Sequence, residues 1–452
     1  MLIRKNILNL ALPIVVEQIF VMLLGVCNTM MAGHIGEEAV SAVGMVDSIN
    51  NMFISFFAAL SVGATVVVAQ QVGQEKIKEA NDTIKQALVS GVLISTLITL
   101  FIWIFRDILI NRLYGSATAS LKADAKLYIE FTLLTYPFIA IEQIATGILR
   151  GSGDTKTPMY ITVFMNIVNI ILGYALIYGF DFEILGRTIY TPSHGIIGAA
   201  LAIAIARVIG TLIILFILIK GTRIINLRGL FPFKVKMKTQ KDIFRIGIPA
   251  GVEQLLFNTG KLIVQVFIVT MGTHAIAANT IGMSISTMIN VIGSALSLAA
   301  TTLVGQYVGS GNIAKAKDTL IYLVKFTTVC MVAIGLIFVP LAPWIAGLYT
   351  DSKEVIRLAA MLITSNSLAL MVWPISFVLS AGLKGAGDTK YTMVTAIIGM
   401  WVFRIFTGYI LGIILGLGVL GIWIGMYTDW LVRGGLYCHR LRGENWIKHK
   451  IT

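Results

Sequence analysis

Long apolar stretches dominate the chain, and polar residues gather in short breaks between them. A helix needs about 20 mostly apolar residues to cross a hydrocarbon core of about 30 Å. Stretches that long fall at about 8–32, 40–70, 84–105, 124–149, 157–180 and 195–219 in the first half. The second half has them at about 246–271, 276–307, 319–348, 355–383, 391–415 and 418–438. The pattern predicts an all-α integral membrane protein with twelve transmembrane helices. Several stretches exceed 25 residues, which implies tilt or extension past the bilayer. Residues 220–245 form the one long polar break and hold eight Lys and Arg, with Pro232 among them. The break divides the chain into an N-terminal six-helix lobe (1–219), a basic cytoplasmic linker (220–245) and a C-terminal six-helix lobe (246–452).

The two lobes repeat one another. Leu149-Arg150-Gly151-Ser152-Gly153-Asp154-Thr155-Lys156 recurs as Leu383-Lys384-Gly385-Ala386-Gly387-Asp388-Thr389-Lys390. Pro13 to Gln18 recurs as Pro249 to Gln254, with Glu17 and Glu253 in step. Gln70, Gly73, Asp82 and Thr83 match Gln306, Gly309, Asp318 and Thr319 at identical spacing. Six spans is an even number, so both lobes enter the membrane in the same sense. They are expected to form two bundles related by a pseudo-two-fold axis along the membrane normal. In the repeated turn, Gly153 and Gly387 are expected to end a helix in the left-handed conformation. Asp154 and Asp388 are expected to cap the next helix.

Composition agrees with a membrane location. The 452 residues are 57% hydrophobic and 13% charged, with a mean hydropathy of +0.87. A soluble domain carries about 25% charged residues. This excludes a soluble enzyme, a secreted disulfide scaffold and a disordered regulator. The net charge of +13 is read as the positive-inside bias, not as a nucleic-acid footprint. With the N-terminus inside, most Lys and Arg fall on the cytoplasmic segments, which places both termini in the cytoplasm of a multi-pass protein, and the compact loops suggest a cell (inner) membrane. Met1 to Asn6 resembles a signal n-region, but Glu17 and Gln18 interrupt the apolar stretch after it and mark a retained span. Cys27, Cys330 and Cys438 are too scattered for a disulfide or zinc framework. His34, His194, His274, His439 and His449 lie in loops or near span ends, and no catalytic constellation falls within a span. The chain is read as no enzyme, without cofactor. Gly-Asp-Thr-Lys is not a phosphate loop, so no ATPase drives it.

Ionisable groups at membrane depth are costly and point to function. At a rise of 1.5 Å per residue, Glu17 sits about 18 Å beyond Lys5 and Glu253 about 12 Å beyond Arg245. Both are too deep for a short side chain to reach the interface. One reading makes them twin ion-coupling sites for Na⁺ or H⁺. The other pairs each with a buried base, with Lys261, Arg207 and Arg404 as candidates. Asp429 and Arg433, four residues apart, are expected to pair locally. Gln18, Asn28, Glu142, Asn166, Asn169, Gln254, Asn258, Lys261 and Arg404 are candidates to line a substrate cavity. Buried amides such as these, with Gln143 and Gln265, also hold helices together.

Twelve spans in two repeats, a basic central loop and the paired Arg/Lys-Gly-x-Gly-Asp-Thr-Lys turns resemble the multidrug and toxic compound extrusion (MATE) family. The proline near the start of each half, the stretch 166–179 and Trp401-Val402-Phe403-Arg404-Ile405 agree. The resemblance covers essentially the whole chain. It implies an antiporter that alternates between outward- and inward-open forms and expels amphipathic organic cations in exchange for Na⁺ or H⁺. It implies partners limited to a small-molecule substrate and membrane lipid, and the protein is taken as a monomer. The family's known coupling acids do not carry over. Asn28-Thr29 stands where one branch has Asp-Thr, and Gly173 stands where that branch has a second Asp. Phe257 stands where another branch has Glu, and Trp373-Pro374 replaces that branch's acid in span 10. The assignment of Glu17 and Glu253 therefore rests on depth and internal symmetry. The alternative function is a flippase for lipid-linked saccharides. It would use Arg207, Lys261 and Arg404 to receive pyrophosphate.

Overall fold

In lipid a backbone must satisfy its own N–H and C=O groups, which a helix does within one segment. The apolar stretches accordingly fold as helices. The computed structural model describes residues 2–33, 37–113, 118–184, 187–191, 193–222, 224–227 and 234–447. The first half runs α1 (Leu2–Gly33), α2 (Glu37–Gly73), α3 (Ile77–Leu113), α4 (Ala119–Leu133), α5 (Tyr136–Gly151), α6 (Lys156–Tyr178), strands β1 (Phe180–Ile184) and β2 (Arg187–Thr191), and α7 (Gly195–Lys220). The second half runs α8 (Met237–Val269), α9 (Thr273–Gly309), α10 (Ile313–Gly347), α11 (Lys353–Ala369), α12 (Trp373–Gly385) and α13 (Thr389–Ile398). A π-helix (Gly399–Ile405), the short α14 (Phe406–Tyr409), a second π-helix (Ile410–Ile414) and α15 (Gly418–Arg442) complete it. Among the described residues, nine helices are long and apolar enough to cross a membrane, and two bent pairs add two more. The 25-residue α15 occupies the twelfth stretch.

The bent pairs show what a single apolar stretch conceals. Span 4 is α4 and α5, bent by 49°. Span 10 is α11 and α12, bent by 54°. Pro137 and Pro374 stand at the start of the second helix of each pair. There the missing N–H costs nothing, because a helix's first N–H groups have no partner within it. At the first bend, the Thr135 hydroxyl donates to the Thr132 carbonyl at 2.6 Å and meets part of the demand the break creates. Between α6 and α7, where the apolar stretches are interrupted, the chain forms an antiparallel hairpin that pairs Phe180 with Thr191 and Ile184 with Arg187. The linker is shorter than its charge suggests, because α8 begins at Met237 and takes its last residues. The end of the linker just before α8 is strapped to α3. Gln86 donates to the Lys234 carbonyl (2.7 Å) and accepts from Lys236 N–H (3.2 Å), and Lys236 pairs with Asp82 at 2.5 Å.

Two compact units emerge. The C-terminal unit comprises Met1–Gln18, Val66–Lys76 and Phe244–Thr452. Its core packs Ile7, Ala11 and Ile14 of α1 with Leu296, Leu320, Met331, Val378, Leu383, Trp430 and Tyr437. The end of α2 is tied in by Gln70, whose amide donates to the Gly385 carbonyl at 3.0 Å. The N-terminal unit comprises Ile19–Thr65 and Ile77–Ile243. Its core holds Val46, Phe57, Tyr128, Leu133, Tyr136 and Ile139. Large apolar side chains such as Phe101, Ile104, Leu262 and Phe216 are exposed, as expected of surfaces that lipid covers.

The repeated turn folds as expected in its backbone. Gly153 and Gly387 have φ of 94° and 96°. Asp154 N–H donates back to the Leu149 carbonyl and Asp388 N–H to that of Leu383, which closes each helix with a Schellman pattern. The carboxylates then diverge. Asp154 caps α6, accepting from Thr157 N–H (3.1 Å) and its hydroxyl (2.7 Å). Asp388 makes no cap bond to α13. It accepts two bonds from Arg440 instead, at 2.7 and 3.2 Å, because α15 brings a guanidinium within reach.

Candidate functional site

Helix α8 carries the densest set of candidate groups. Glu253, Phe257 and Lys261 recur every fourth residue and so line one face. Glu253 pairs with Lys384, Nζ to Oε1 at 2.7 Å, and both side chains are largely buried. The second carboxylate oxygen, Oε2, is buried without a hydrogen-bond partner. Lys384 belongs to the repeated turn, read from the sequence only as a cap. The expected bases Lys261, Arg207 and Arg404 do not make this pair. Glu17 holds the corresponding place on α1, four residues after Pro13, and is 3% exposed.

One turn from Glu253 lies a charged cluster. Arg404 is 7% exposed and pairs with Asp429 at 3.0 Å. Arg433 grips the same carboxylate through Nε (2.6 Å) and Nη2 (2.9 Å), so the expected local pair is present. The Phe257 ring collects three cations. Lys261 Nζ and Arg404 Cζ each lie 5.1 Å from its centroid, and Arg433 Cζ lies 5.5 Å away. Arg433 also sits 4.9 Å over Phe377. A π-helix offsets the register of side chains along a helix, and such turns are frequent at functional sites. Here it carries Arg404 in its last turn. Gly399 lets it approach α15, since a Cβ there would overlap Asp429 Oδ1 and Arg433 Cγ. Gly260 does the same for α8 against Met400.

The candidates of the N-terminal unit form a different set. Asn166 of α6 donates to the Phe20 carbonyl at 2.8 Å. Asn169 donates to Asn28 Oδ1 at 2.8 Å. Both are used to join α1 to α6. Glu142 of this unit is half-buried, as are Gln18, Gln254 and Asn258 of the C-terminal unit. The Gln143 carbonyl accepts from Ser61, and Gln265 meets Asn279, whose oxygen accepts from Trp423. A polar chain at the bend of span 4 was not singled out from the sequence. Tyr136 OH donates to Asn50 (2.9 Å), Asn50 to Asp47 (3.4 Å), and Arg207 to the Thr135 hydroxyl (3.1 Å). The only advance signal was Asp47 and Arg207 in apolar stretches.

Among the described residues, no group of three or more His, Cys, Asp or Glu is arranged to hold a metal ion.

Comparisons with known proteins agree with this layout. The family model MatE matches the chain twice, over residues 13–175 and 249–410. A probable multidrug resistance protein NorM of Thermotoga maritima is 29% identical over 458 residues, covering 99% of this chain and 94% of that protein. An uncharacterized transporter of Bacillus subtilis, YisQ, is 28% identical, covering 98% of this chain and 95% of its own. Two solved structures share the fold at 23% identity, each with a TM-score of 0.89. One is an outward-facing multidrug resistance MATE family transporter of the MOP superfamily, over 97% of this chain and 95% of that one. The other is a MOP superfamily transporter from Pyrococcus furiosus, over 100% and 97%. With both halves matched by one family model, the chain belongs to the MatE family, that of the NorM-type multidrug efflux transporters.

Proposed function

We propose that the protein is a secondary active antiporter that exports organic cations, drugs or related metabolites in exchange for Na⁺ or H⁺. It works by alternating access in the cell membrane, with both termini cytoplasmic and as a monomer. The observation that carries this reading is Glu253, a largely buried carboxylate with one oxygen on Lys384 and the other bare. A buried carboxylate short of donors is a ready acceptor for a proton or a small cation. Loading it neutralises the group and frees Lys384, so ion binding on α8 changes how that helix is held to the end of α12. Glu17 is its counterpart in the repeat and is proposed as a second coupling site. Gln18, Asn28, Glu142, Asn166, Asn169, Gln254, Asn258, Lys261 and Arg404 are proposed to line the cargo's path.

The test is efflux from proteoliposomes under an imposed Na⁺ gradient or an imposed pH gradient, with ethidium as a cationic cargo and dansylglycine as an anionic one. One gradient is expected to drive efflux from the wild type, and Glu253→Gln to abolish the coupling. Equal efflux from wild type and Glu253→Gln removes that residue from the mechanism. No gradient-driven movement of either cargo removes the antiporter. A second reading, a flippase for lipid-linked saccharides, is favoured by the cations around Phe257. It predicts gradient-independent movement of a polyprenyl-linked sugar instead.

A further inference from the structure

The cluster around Phe257 has a charge imbalance that the exchange reaction does not use. Three cations, Lys261, Arg404 and Arg433, gather at the Phe257 ring, and one carboxylate, Asp429, pairs with two of them. Asp429 is fully committed: Oδ1 accepts from Arg433 Nε, and Oδ2 accepts from Arg433 Nη2 and Arg404 Nη2. That leaves Arg404 Nε, a buried N–H on a side chain more than nine-tenths buried, with no acceptor. It also leaves Lys261 with no ion pair among the described residues, at the Phe257 ring that it shares with Arg404. The face of an aromatic ring attracts a cation but does not cancel its charge. A buried guanidinium short of acceptors is costly, and a neutral acceptor would satisfy the Arg404 N–H while leaving the local excess of positive charge.

We propose that Lys261 and Arg404 form a receiving site for an anionic oxyacid group (carboxylate, sulfonate or phosphate) on an amphipathic molecule, with Phe257 as the apolar platform beneath it. The proposal rests on the reading of the protein as a small-molecule exporter and names the chemical group its C-terminal unit takes. Lys261 is exposed and Arg404 buried, so the ammonium meets the anion first and the guanidinium receives it deeper. Both cations lie 5.1 Å from one ring centroid, so they are no further apart than twice that distance, and one oxyanion with its adjoining apolar body can engage both. Guanidinium and ammonium bonds to an oxyanion are charge-assisted and short. Arg433 is excluded from the site by its bidentate grip on Asp429, which holds the cluster in shape. Zwitterions fit as well as simple anions, since nothing here demands that the rest of the cargo be neutral.

The experiment is a fluorescence binding titration on the purified full chain with three probes that share one fluorophore: dansylglycine (anionic), dansylamide (neutral) and dansylcadaverine (cationic). The wild type is expected to bind dansylglycine about tenfold more tightly than either other probe. Lys261→Gln is expected to weaken dansylglycine binding about tenfold more than dansylamide binding and so erase that preference, and Lys261→Arg to keep it. Unlabelled N-acetylglycine and farnesyl phosphate serve as competitors. Displacement at lower concentration by the first assigns the anion to a soluble acid, and by the second to a lipid-linked phosphate. Displacement by neither overturns the site. So does a wild type that prefers dansylcadaverine, which needs no variant to fold. A parallel loss of all three probes in Lys261→Gln that Lys261→Arg does not restore also overturns it, because Lys261 would then only hold shape. Binding needs no gradient, so a selective site without driven efflux would refute the antiporter and keep this inference, and the converse would do the reverse.

Discussion

The first and fifth spans of each half occupy corresponding places in the repeat, yet they are joined by different chemistry. In the N-terminal unit α1 and α6 meet through neutral amides, Asn166 on the Phe20 carbonyl and Asn169 on Asn28, with Tyr178 on the Met31 carbonyl at 3.0 Å. In the C-terminal unit α8 and the π-helical segment meet at Phe257, amid Lys261, Arg404, Arg433 and Asp429. Neutral amides tolerate lipid-like surroundings and are weakly stabilising. A buried ionic cluster is stable only while every charge keeps its partner. Duplication therefore preserved the helices while the two halves took up different burdens, one structural and one electrostatic.

The sharpest way to break this contrast is Asp429→Asn. It keeps the shape and removes the one anion shared by Arg404 and Arg433. Stripping one partner from a buried ionic cluster costs about 3–5 kcal/mol. Thermal unfolding of the purified protein should show a larger drop for this variant than for any of the others below it in size. A drop no greater than that of a removed amide in α1 would mean the cluster is not the electrostatic centre of its unit.

Gly399→Ala should come next. An added methyl would press on Asp429 Oδ1 and the Arg433 stem, and overpacking of this kind costs about 1–3 kcal/mol. The same unfolding assay reads it. Because the damage is local, dansylglycine preference should weaken along with stability. Unchanged binding at lowered stability would separate the π-helix from the anion site.

Legibility in the sequence tracks distance along the chain. Spans, repeat, linker and the Gly153 and Gly387 turns come from hydropathy and backbone rules that act over a few residues. The Asp429–Arg433 pair was legible because four residues make one helical turn. The pairing of Glu253 with Lys384 was not, since 131 residues separate them and only helix packing brings them together. The same holds for Arg404 and Asp429. The bends of spans 4 and 10 had a local signal in Pro137 and Pro374, but apolarity alone does not distinguish one helix from two. The π-helix had none that hydropathy records.

The repeated turn offers a smaller test between the halves. At an N-cap, Asn serves about as well as Asp. Asp154→Asn should therefore leave stability within about 0.5 kcal/mol of wild type. Asp388→Asn should cost more, about 1–2 kcal/mol, because it loses a charge-assisted bidentate bond to Arg440 instead of a cap. Equal costs at the two positions in the unfolding assay would show that Asp388 acts as a cap after all.

The smallest effect should come from the amide side of the comparison. Asn28→Ala removes the acceptor of Asn169 and leaves the donor half-way along a helix among apolar neighbours. Hydrogen bonds between membrane helices average about 0.6 kcal/mol, because the separated helices also find partners. Asn28 stands where one branch of the family carries an acid, so a coupling role would make its loss abolish gradient-driven efflux. If the residue only joins helices, efflux should persist and the unfolding temperature should shift by a degree or two. Loss of efflux with stability intact would move the electrostatic burden back into the N-terminal unit and dissolve the division of labour between the halves.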